Sequence, residues 1–195
     1  MTAARPSERK HAVRTLVRER RAALPPAERD RRAGTLSNHL IALTRDSKAG
    51  RVTCYLPTEN EPDPTGFLSW AAAHHIEVLL PVSFPGRTLG WALANGDAPL
   101  PGLHGILEPT GPRFPSDAAA TADLLIVPAC AVDRRGIRLG WGLGYYDRCL
   151  AALPRVPPVY AVVFEEDIFD ELPNDPHDVP VTGAVTPGGI RRFSA

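Results

Sequence analysis

Apolar residues recur at helical spacing through the first quarter of the chain, and they predict two successive helices. The first is predicted over 6–23, where Leu24-Pro25-Pro26 ends it because proline cannot continue a helix. Pro26 suits the first position of a second helix, which is predicted to run to about Thr44. In the first helix Val13, Leu16 and Val17 lie on one face, and in the second Leu36, Leu40 and Leu43 are predicted to face inward.

Shorter apolar runs, bounded by proline, glycine and polar residues, predict strands. They lie at 51–57, 76–82, 89–94, 123–133, 157–164 and 183–187. Two further helices are predicted, at 63–75 and at 145–153. This order predicts an α/β layered fold with a mostly parallel central sheet flanked by helices, two of them at the N-terminus. At 195 residues, a single domain over 1–195 is expected.

Charge is balanced over the whole chain but concentrated near its start. The 22 basic and 22 acidic residues cancel, so the overall charge indicates neither nucleic acid nor membrane as a partner. Residues 1–32 nevertheless hold ten basic residues against four acidic ones. Four of the basic residues form a cationic stripe along the first helix: Lys10, Arg14, Arg18 and Arg21. The stripe is either a solvated face or part of an anion site, and its residues alone leave both interpretations open.

Cysteine use and hydropathy indicate the compartment. The three cysteines are odd in number and widely spaced, and two of them, Cys54 and Cys130, sit in apolar runs where a reduced thiol acts as a small hydrophobe. The N-terminus is polar, and no apolar run approaches the ~20 residues of a membrane span. We expect a reduced, cytoplasmic, monomeric protein that binds small molecules.

The candidate ligand-binding residues are concentrated in the stretch 136–148. It holds four glycines in nine residues, follows the apolar run 123–133, and precedes the helix predicted at 145–153. Glycine allows the backbone to approach a ligand closely, and successive N–H groups at a helix N-terminus bind phosphate. Arg138 adds a cation, and Asp147 adds a carboxylate suited to a hard metal ion. The stretch therefore predicts a site for nucleotide phosphate and Mg²⁺, although a glycine-rich turn is also compatible with a purely structural role.

The common phosphate-binding motifs do not fit this stretch. A Walker loop requires Gly-Lys followed by Ser or Thr, and the chain contains no Gly-Lys. The dinucleotide fingerprint requires a third glycine three residues after Gly142, where Tyr145 stands instead.

The whole string is more specific than its glycines. Arg-Leu-Gly-x-Gly-x-Gly-Tyr-Tyr-Asp-Arg, at 138–148, resembles the signature of the 5-formyltetrahydrofolate cyclo-ligases, also called methenyltetrahydrofolate synthetases. Leu143 departs from that pattern, since such enzymes more often carry glycine or lysine there. Two further segments match the family. They are Lys-x-x-aliphatic-Arg, with Lys10, Val13 and Arg14, and Tyr-x-Pro-x-x-x-Glu, with Tyr55, Pro57 and Glu61.

The resemblance implies three ligand sets that overlap in the glycine-rich segment. The residues implied to bind ATP are Lys10, Arg14, Arg138, Leu139, Gly140, Trp141, Gly142, Leu143, Gly144, Tyr145 and Tyr146. Those implied to bind the folate substrate are Leu56, Glu61, Trp141, Gly142, Leu143, Gly144 and Tyr145. Arg138 and Tyr145 are implied to be catalytic, and Asp147 and Asp178 are implied to hold Mg²⁺. The segment 105–109 resembles a family loop near the cleft, where Glu108 is either a cleft residue or a plain turn residue.

The implied reaction uses ATP to close 5-formyltetrahydrofolate into 5,10-methenyltetrahydrofolate. The formyl oxygen attacks the γ-phosphate, the N10 amine attacks the activated carbon, and phosphate leaves. Two alternatives remain, a non-catalytic nucleotide- or folate-binding protein and an RNA-associated module using the basic helix. That helix lacks the interleaved aromatic residues typical of single-strand binding, which argues against RNA.

Overall fold

The computed structural model describes residues 5–174 and 179–193. This part of the chain contains four α-helices: α1 (Pro6–Ala22), α2 (Pro26–Asp46), α3 (Thr65–Ala73) and α4 (Tyr145–Ala152). Each helix begins and ends within two residues of its predicted bounds. Proline stands in the first turn of both α1 and α2, where its missing N–H would be unpaired in any case.

The described residues also form thirteen short strands. In chain order they are β1 (Arg51–Thr53), β2 (Glu77–Phe84), β3 (Thr88–Leu93), β4 (Leu100–Pro101), β5 (Leu107–Glu108), β6 (Arg113–Phe114), β7 (Leu124–Pro128), β8 (Ala131–Asp133), β9 (Arg138–Leu139), β10 (Val159–Val162), β11 (Ile168–Phe169), β12 (Gly183–Thr186) and β13 (Gly189–Arg192). Eight of them form the central sheet, in the order β13-β12-β10-β7-β1-β2-β3-β6. The five inner strands from β12 to β2 are parallel, and the strands outside them are antiparallel. The predicted α/β fold with a mostly parallel sheet is confirmed.

Alternating side chains of β7 divide the core between the two faces of the sheet. Leu124 and Ile126 pack in the cluster that includes the inward residues of α2 and α3. Leu125 and Val127 pack in a second cluster that includes Cys149 and Leu150 of α4. Because β7 is buried on both sides, its sequence is a continuous apolar run, as parallel strands usually are.

The sequence prediction was wrong about the long strand at 123–133. The chain there forms two strands, β7 and β8, with Ala129 and Cys130 between them. Arg21 of α1 binds the backbone between the two strands: its Nη2 donates to the carbonyl oxygens of Ala129, at 3.1 Å, and Cys130, at 2.8 Å. Strand β8 then joins a separate three-stranded sheet in the order β11-β8-β9.

Two smaller predictions also need correction. The strand predicted over 51–57 ends at Thr53, which leaves the following residues free to form a loop. The polar tail holds a strand that the sequence did not predict, since β13 pairs antiparallel with β12. No helix in the described part of the chain is both long enough and apolar enough to cross a membrane.

Candidate active site

A cleft of about 280 Å³ lies where the carboxyl ends of β1, β2 and β7 meet. Ligands of open α/β sheets bind at this edge. The cleft is lined by the loop after β1, by the ends of β2 and β7 and by the glycine-rich segment. Its sequence-predicted members are Leu56, Glu61, Arg138, Gly140, Trp141, Leu143, Gly144, Tyr145 and Asp147, together with Tyr146. The structure therefore brings most of the predicted folate residues and most of the predicted nucleotide residues to one place.

The glycine-rich segment enters the cleft from a hairpin rather than directly from the central strand. Strands β8 and β9 pair antiparallel, and residues 140–144 then lead from β9 into α4. Gly142 has φ = +105° and Gly144 has φ = +72°, which place both in the region that favours glycine. A Cβ on Gly142 would lie 3.5 Å from the guanidinium carbon of Arg14, an ordinary contact distance, so the positive φ rather than a lack of space favours glycine there.

Arg138 is buried in the cleft wall and paired with Asp147. Its Nη2 donates to Oδ1 of Asp147, and its Nη1 donates to the carbonyl oxygen of Pro128 at 3.2 Å. The Nε of Arg138 has no hydrogen-bond partner among the described residues. The guanidinium carbon lies 5.5 Å from the centre of the Tyr146 ring, at a distance suited to a cation–π contact. Arg138 is thus a fixed positive charge at the beginning of α4.

The N-terminal helix contacts the glycine-rich segment through its arginines. The Nε of Arg14 donates to the carbonyl oxygen of Gly140 at 2.8 Å. Arg18 lines the cleft, and its guanidinium carbon lies 5.9 Å from the Trp141 ring centre. Lys10 is half-buried one turn before Arg14 and is not among the residues that line the cleft.

Arg21 does not share the environment of the rest of the cationic stripe. It is only 1% exposed, and its Nε donates to Oδ2 of Asp167 at 2.9 Å. Its Nη1 donates to the carbonyl oxygen of Asn60 at 3.2 Å, and its guanidinium carbon lies 5.3 Å from the Trp141 ring centre. Arg21 is therefore part of the protein interior and not of a solvated face. Sequence spacing gave no signal for this role, because the partners of Arg21 lie far along the chain.

Glu61 is held by donors from two parts of the chain. Its Oε2 accepts hydrogen bonds from the backbone N–H and the hydroxyl of Thr58, both at 2.9 Å. Its Oε1 accepts a hydrogen bond from the indole Nε1–H of Trp141, also at 2.9 Å. The carboxylate predicted to bind folate is thus connected to the glycine-rich segment.

The loop that carries Glu61 also borders a second cavity, of about 330 Å³, on its other side. The two cavities share Thr58, Asn60 and Glu61 as lining residues. Arg29 of α2 lines the second cavity and donates from its Nη1 to the carbonyl oxygen of Glu59 at 2.7 Å. The loop at 58–61 is therefore a thin wall between the two cavities.

The two adjacent tyrosines of α4 both line the cleft but differ in the hydrogen bonding of their hydroxyl groups. The hydroxyl of Tyr145 donates to the carbonyl oxygen of Phe84 at 3.4 Å. The hydroxyl of Tyr146 is buried without a hydrogen-bond partner among the described residues. Burial raises the pKa of Tyr146 well above its ordinary value, so this phenol stays protonated at neutral pH.

The lining of the cleft does not include every predicted residue: among the described ones, Lys10, Arg14, Glu108, Leu139 and Gly142 are not part of it. Asp178 lies outside the described residues. Glu108 is buried in β5, where its Oε1 accepts a hydrogen bond from the backbone N–H of Ser83 in β2 at 2.9 Å. The neighbouring Ile106 lines the cleft instead. Glu108 is thus a strand residue bonded to β2 rather than a plain turn residue.

Comparison with known proteins identifies the family. The model of the 5-formyltetrahydrofolate cyclo-ligase family matches residues 6–187. The chain belongs to this family. A 5-formyltetrahydrofolate cyclo-ligase of Mycolicibacterium smegmatis is 35% identical over 184 residues, which cover 91% of this chain and 93% of that protein. A mouse cyclo-ligase is 26% identical over 93% of this chain and 95% of its own length.

Solved structures agree with the cyclo-ligase assignment. The NMR structure of 5,10-methenyltetrahydrofolate synthetase from Aquifex aeolicus has a TM-score of 0.80 and 30% identity, covering 95% of this chain and 93% of that one. A synthetase from Mycoplasma pneumoniae has a TM-score of 0.74 over 91% of this chain and 98% of that one. At 22% identity, that second likeness shows the fold alone. The predicted family and enzyme class are confirmed.

The described residues of the cleft offer a magnesium ion the carboxylate of Asp147 on the phosphate side. Among the described residues, no three His, Cys, Asp or Glu side chains group as a metal cage. Asp147 contributes one carboxylate at the cleft, with its side chain 39% exposed. Mg²⁺ is commonly held by one or two carboxylates plus substrate phosphates and water, and this donor set suits it.

Proposed function

We propose that this chain catalyses the ATP- and Mg²⁺-dependent closure of 5-formyltetrahydrofolate to 5,10-methenyltetrahydrofolate, with release of ADP and phosphate. The observation that carries the proposal is the meeting of Glu61 with Arg138 and the glycine-rich segment in one cleft. The site therefore combines a carboxylate for the folate with a cation and a helix N-terminus for phosphate. We also propose that the enzyme acts as a monomer in the cytoplasm.

The glycine-rich segment and the start of α4 form the proposed nucleotide end of the cleft. Lys10, Arg14, Arg138 and the residues from Leu139 to Tyr146 would contact ATP. Backbone N–H groups at a helix N-terminus favour phosphate oxygens. Phosphoryl transfer depends on positioning and charge neutralisation rather than on a covalent enzyme intermediate, and the buried guanidinium of Arg138 is suited to that role.

Asp147 and Asp178 are the residues that would hold Mg²⁺. Bound there with ATP, the ion would neutralise phosphate charge. In the ligand-free chain, Asp147 is paired with Arg138, which keeps the carboxylate beside the phosphate end of the cleft.

Glu61 and Leu56 form the proposed folate end of the cleft, completed by residues 141–145. A reduced pterin presents an exocyclic amine and an adjacent ring N–H as parallel donors, and a carboxylate accepts such a pair with charge-assisted bonds. Tyr145 and Tyr146 offer flat aromatic surface close by.

The chemistry proposed for this cleft proceeds in two steps. The formyl oxygen attacks the γ-phosphorus of ATP, and ADP departs with the electrons of the broken bond. The N10 amine then attacks the activated formyl carbon, loses its proton and closes the ring, while phosphate leaves with the formyl oxygen. Arg138 balances the charge of the transferred group, and Tyr145 is proposed to position the formyl group.

Phosphate release tests this function directly. The chain is mixed with ATP and Mg²⁺, with or without 5-formyltetrahydrofolate, and phosphate and methenyl product are measured together. Equal amounts of phosphate and product, formed only with the folate, are expected. Binding of either ligand without phosphate release would instead identify a non-catalytic binding protein.

A further inference from the structure

Trp141 contacts both the predicted folate residue and the buried arginine of α1. Its Nε1–H donates to Oε1 of Glu61 at 2.9 Å. The guanidinium carbon of Arg21 lies 5.3 Å from its ring centre, and that of Arg18 lies 5.9 Å away. Cations at such distances attract the face of an indole ring. The ring therefore has a defined position, and its single donor is directed at one carboxylate oxygen.

Arg21, which packs against the indole ring, is itself held by hydrogen bonds. Arg21 is buried and bonded to Asp167, and it also donates to the carbonyl oxygen of Asn60, the residue before Glu61. The same guanidinium thus holds the backbone of the Glu61 loop and packs against the ring that holds the Glu61 side chain. This double contact leaves the carboxylate little rotational freedom.

We infer that Trp141 is a positioning residue for substrate binding, whose indole N–H orients the carboxylate of Glu61 toward the folate. The inference rests on the proposed function, because it assigns the pterin to Glu61. Each oxygen of a carboxylate accepts more than one hydrogen bond, so Oε1 can bind Trp141 and a ligand donor together. Because Trp141 belongs to the glycine-rich segment, the same bond connects the nucleotide end of the cleft to the folate end.

Trp141→Phe tests this contact, since it removes the indole donor while keeping an aromatic ring beside the arginines. The dissociation constant of 5-formyltetrahydrofolate, measured by calorimetry, is expected to rise about three- to tenfold, the effect of losing one hydrogen bond. Residue 141 would contact ATP through its backbone N–H, which the substitution keeps, so the dissociation constant of ATP measured without folate is expected to change less than twofold. Glu61→Gln is expected to weaken folate binding less when it is added to Trp141→Phe than when it is made in the parent chain, because the two residues act together.

Trp70→Phe is the matched control. Trp70 lies on α3 outside the cleft, and it too packs beneath an arginine, with the guanidinium carbon of Arg45 5.3 Å from its ring centre. This variant is expected to bind folate like the parent chain. Tighter folate binding by Trp141→Phe would overturn the inference, since the indole would then compete with the substrate for Glu61. Unchanged binding would overturn it as well, and so would an equal loss of ATP affinity.

A ligand-free measurement separates this inference from the proposed function. The indole N–H resonance of Trp141 is assigned by its absence from the Trp141→Phe spectrum. In Glu61→Gln it is expected to move upfield and to exchange faster with water, because a charge-assisted acceptor has been replaced. An unmoved resonance would disprove the hydrogen bond itself. If the resonance shifts clearly but the chain binds no folate, the hydrogen bond is real and its proposed role in folate binding is rejected. The proposed function, rather than the contact, would then be wrong.

Discussion

The Nε of Arg14 donates a hydrogen bond to the carbonyl oxygen of Gly140, 2.8 Å away, and so ties the N-terminal helix to the glycine-rich segment. Two residues that are 126 positions apart in the chain thus meet at the proposed nucleotide end of the cleft. The contact explains why a basic N-terminal helix accompanies a glycine-rich segment in this protein.

Arg14→Ala removes both this tie and a positive charge near the phosphates. The KM for ATP is expected to rise roughly ten- to a hundredfold, corresponding to the ~1.5–3 kcal/mol of hydrogen bonds to charged groups. Lys10→Ala is expected to act in the same direction. The ATP dependence of phosphate release measures both effects. Arg9→Ala, on the exposed side of the same helix, is the control, and an equal small effect at all three positions would favour a solvated face.

Asp147→Asn keeps the shape of the side chain while removing its charge. Turnover is expected to fall and the Mg²⁺ requirement to rise, because one carboxylate ligand is lost. Titration of Mg²⁺ at saturating ATP measures the change, and excess Mg²⁺ should partly restore the rate. Asp117→Asn, at an exposed position, is expected to behave like the parent chain. An unaltered Mg²⁺ dependence in Asp147→Asn would remove this residue from the metal shell.

Glu61→Gln exchanges one acceptor oxygen for an amide donor, which then faces a donor of the pterin or of Trp141. Binding of 5-formyltetrahydrofolate is expected to weaken about ten- to a hundredfold, in line with the ~1.5–3 kcal/mol of a charged hydrogen bond. ATP affinity should barely change. Separate titrations of the two ligands test this, with Glu59→Gln as the control two residues away. Loss of ATP binding with intact folate binding would reverse the assignment of the two ends of the cleft.

Arg21→Ala removes the buried partner of Asp167, which keeps only the contact of its Oδ1 with Arg20 at 3.3 Å. It also frees the carbonyl oxygens between β7 and β8. The free energy of unfolding is expected to fall by about 3–5 kcal/mol, as for other broken buried ion pairs. Urea unfolding monitored by circular dichroism measures the loss. Arg31→Ala, which removes an exposed ion pair with Glu28, should leave stability nearly unchanged. Similar small losses in both variants would mean that Arg21 is not a structural residue.

The protein is expected to lose stability at high pH because two of its thiols are buried. Burial raises the pKa of Cys54 and that of Cys130 to about 12, from an ordinary value of 9.0. Above pH 9 the unfolded chain gives up these protons while the folded chain keeps them, so the free energy of unfolding decreases as pH rises toward 12. The buried phenols of Tyr55 and Tyr146, whose pKa values burial also raises, act in the same direction. Urea unfolding at pH 8 and pH 10.5 measures the decrease, and Cys54→Ala should show a smaller one.

The helices and the order of the main strands could be predicted because their signals are local. Proline marks the beginnings of α1 and α2, and the apolar run of β7 is typical of a strand buried on both faces. The break after β7 could not be predicted from the local pattern. The carbonyl oxygens at the break accept hydrogen bonds from Arg21, which lies 108 residues before Ala129 in the sequence. Strand β13 was missed for a similar reason, because its polar residues pair only in the folded sheet.

The candidate site also contains residues that the sequence predicted and contacts that it did not. The glycine-rich segment and Glu61 were predicted from motifs, and the structure places both in one cleft. The hydrogen bond between Trp141 and Glu61 was not predicted, because no spacing rule relates residues 80 positions apart. Motifs thus identified the residues that would touch a ligand, whereas the residues that hold them in place became visible only in three dimensions.

Under the proposed function, the thin wall at 58–61 would allow folate binding to be altered from behind the cleft while the motifs stay intact. Residues of α2 such as Arg29 reach this wall from the second cavity, so substitutions there would act on the backbone beneath Glu61 without entering the cleft.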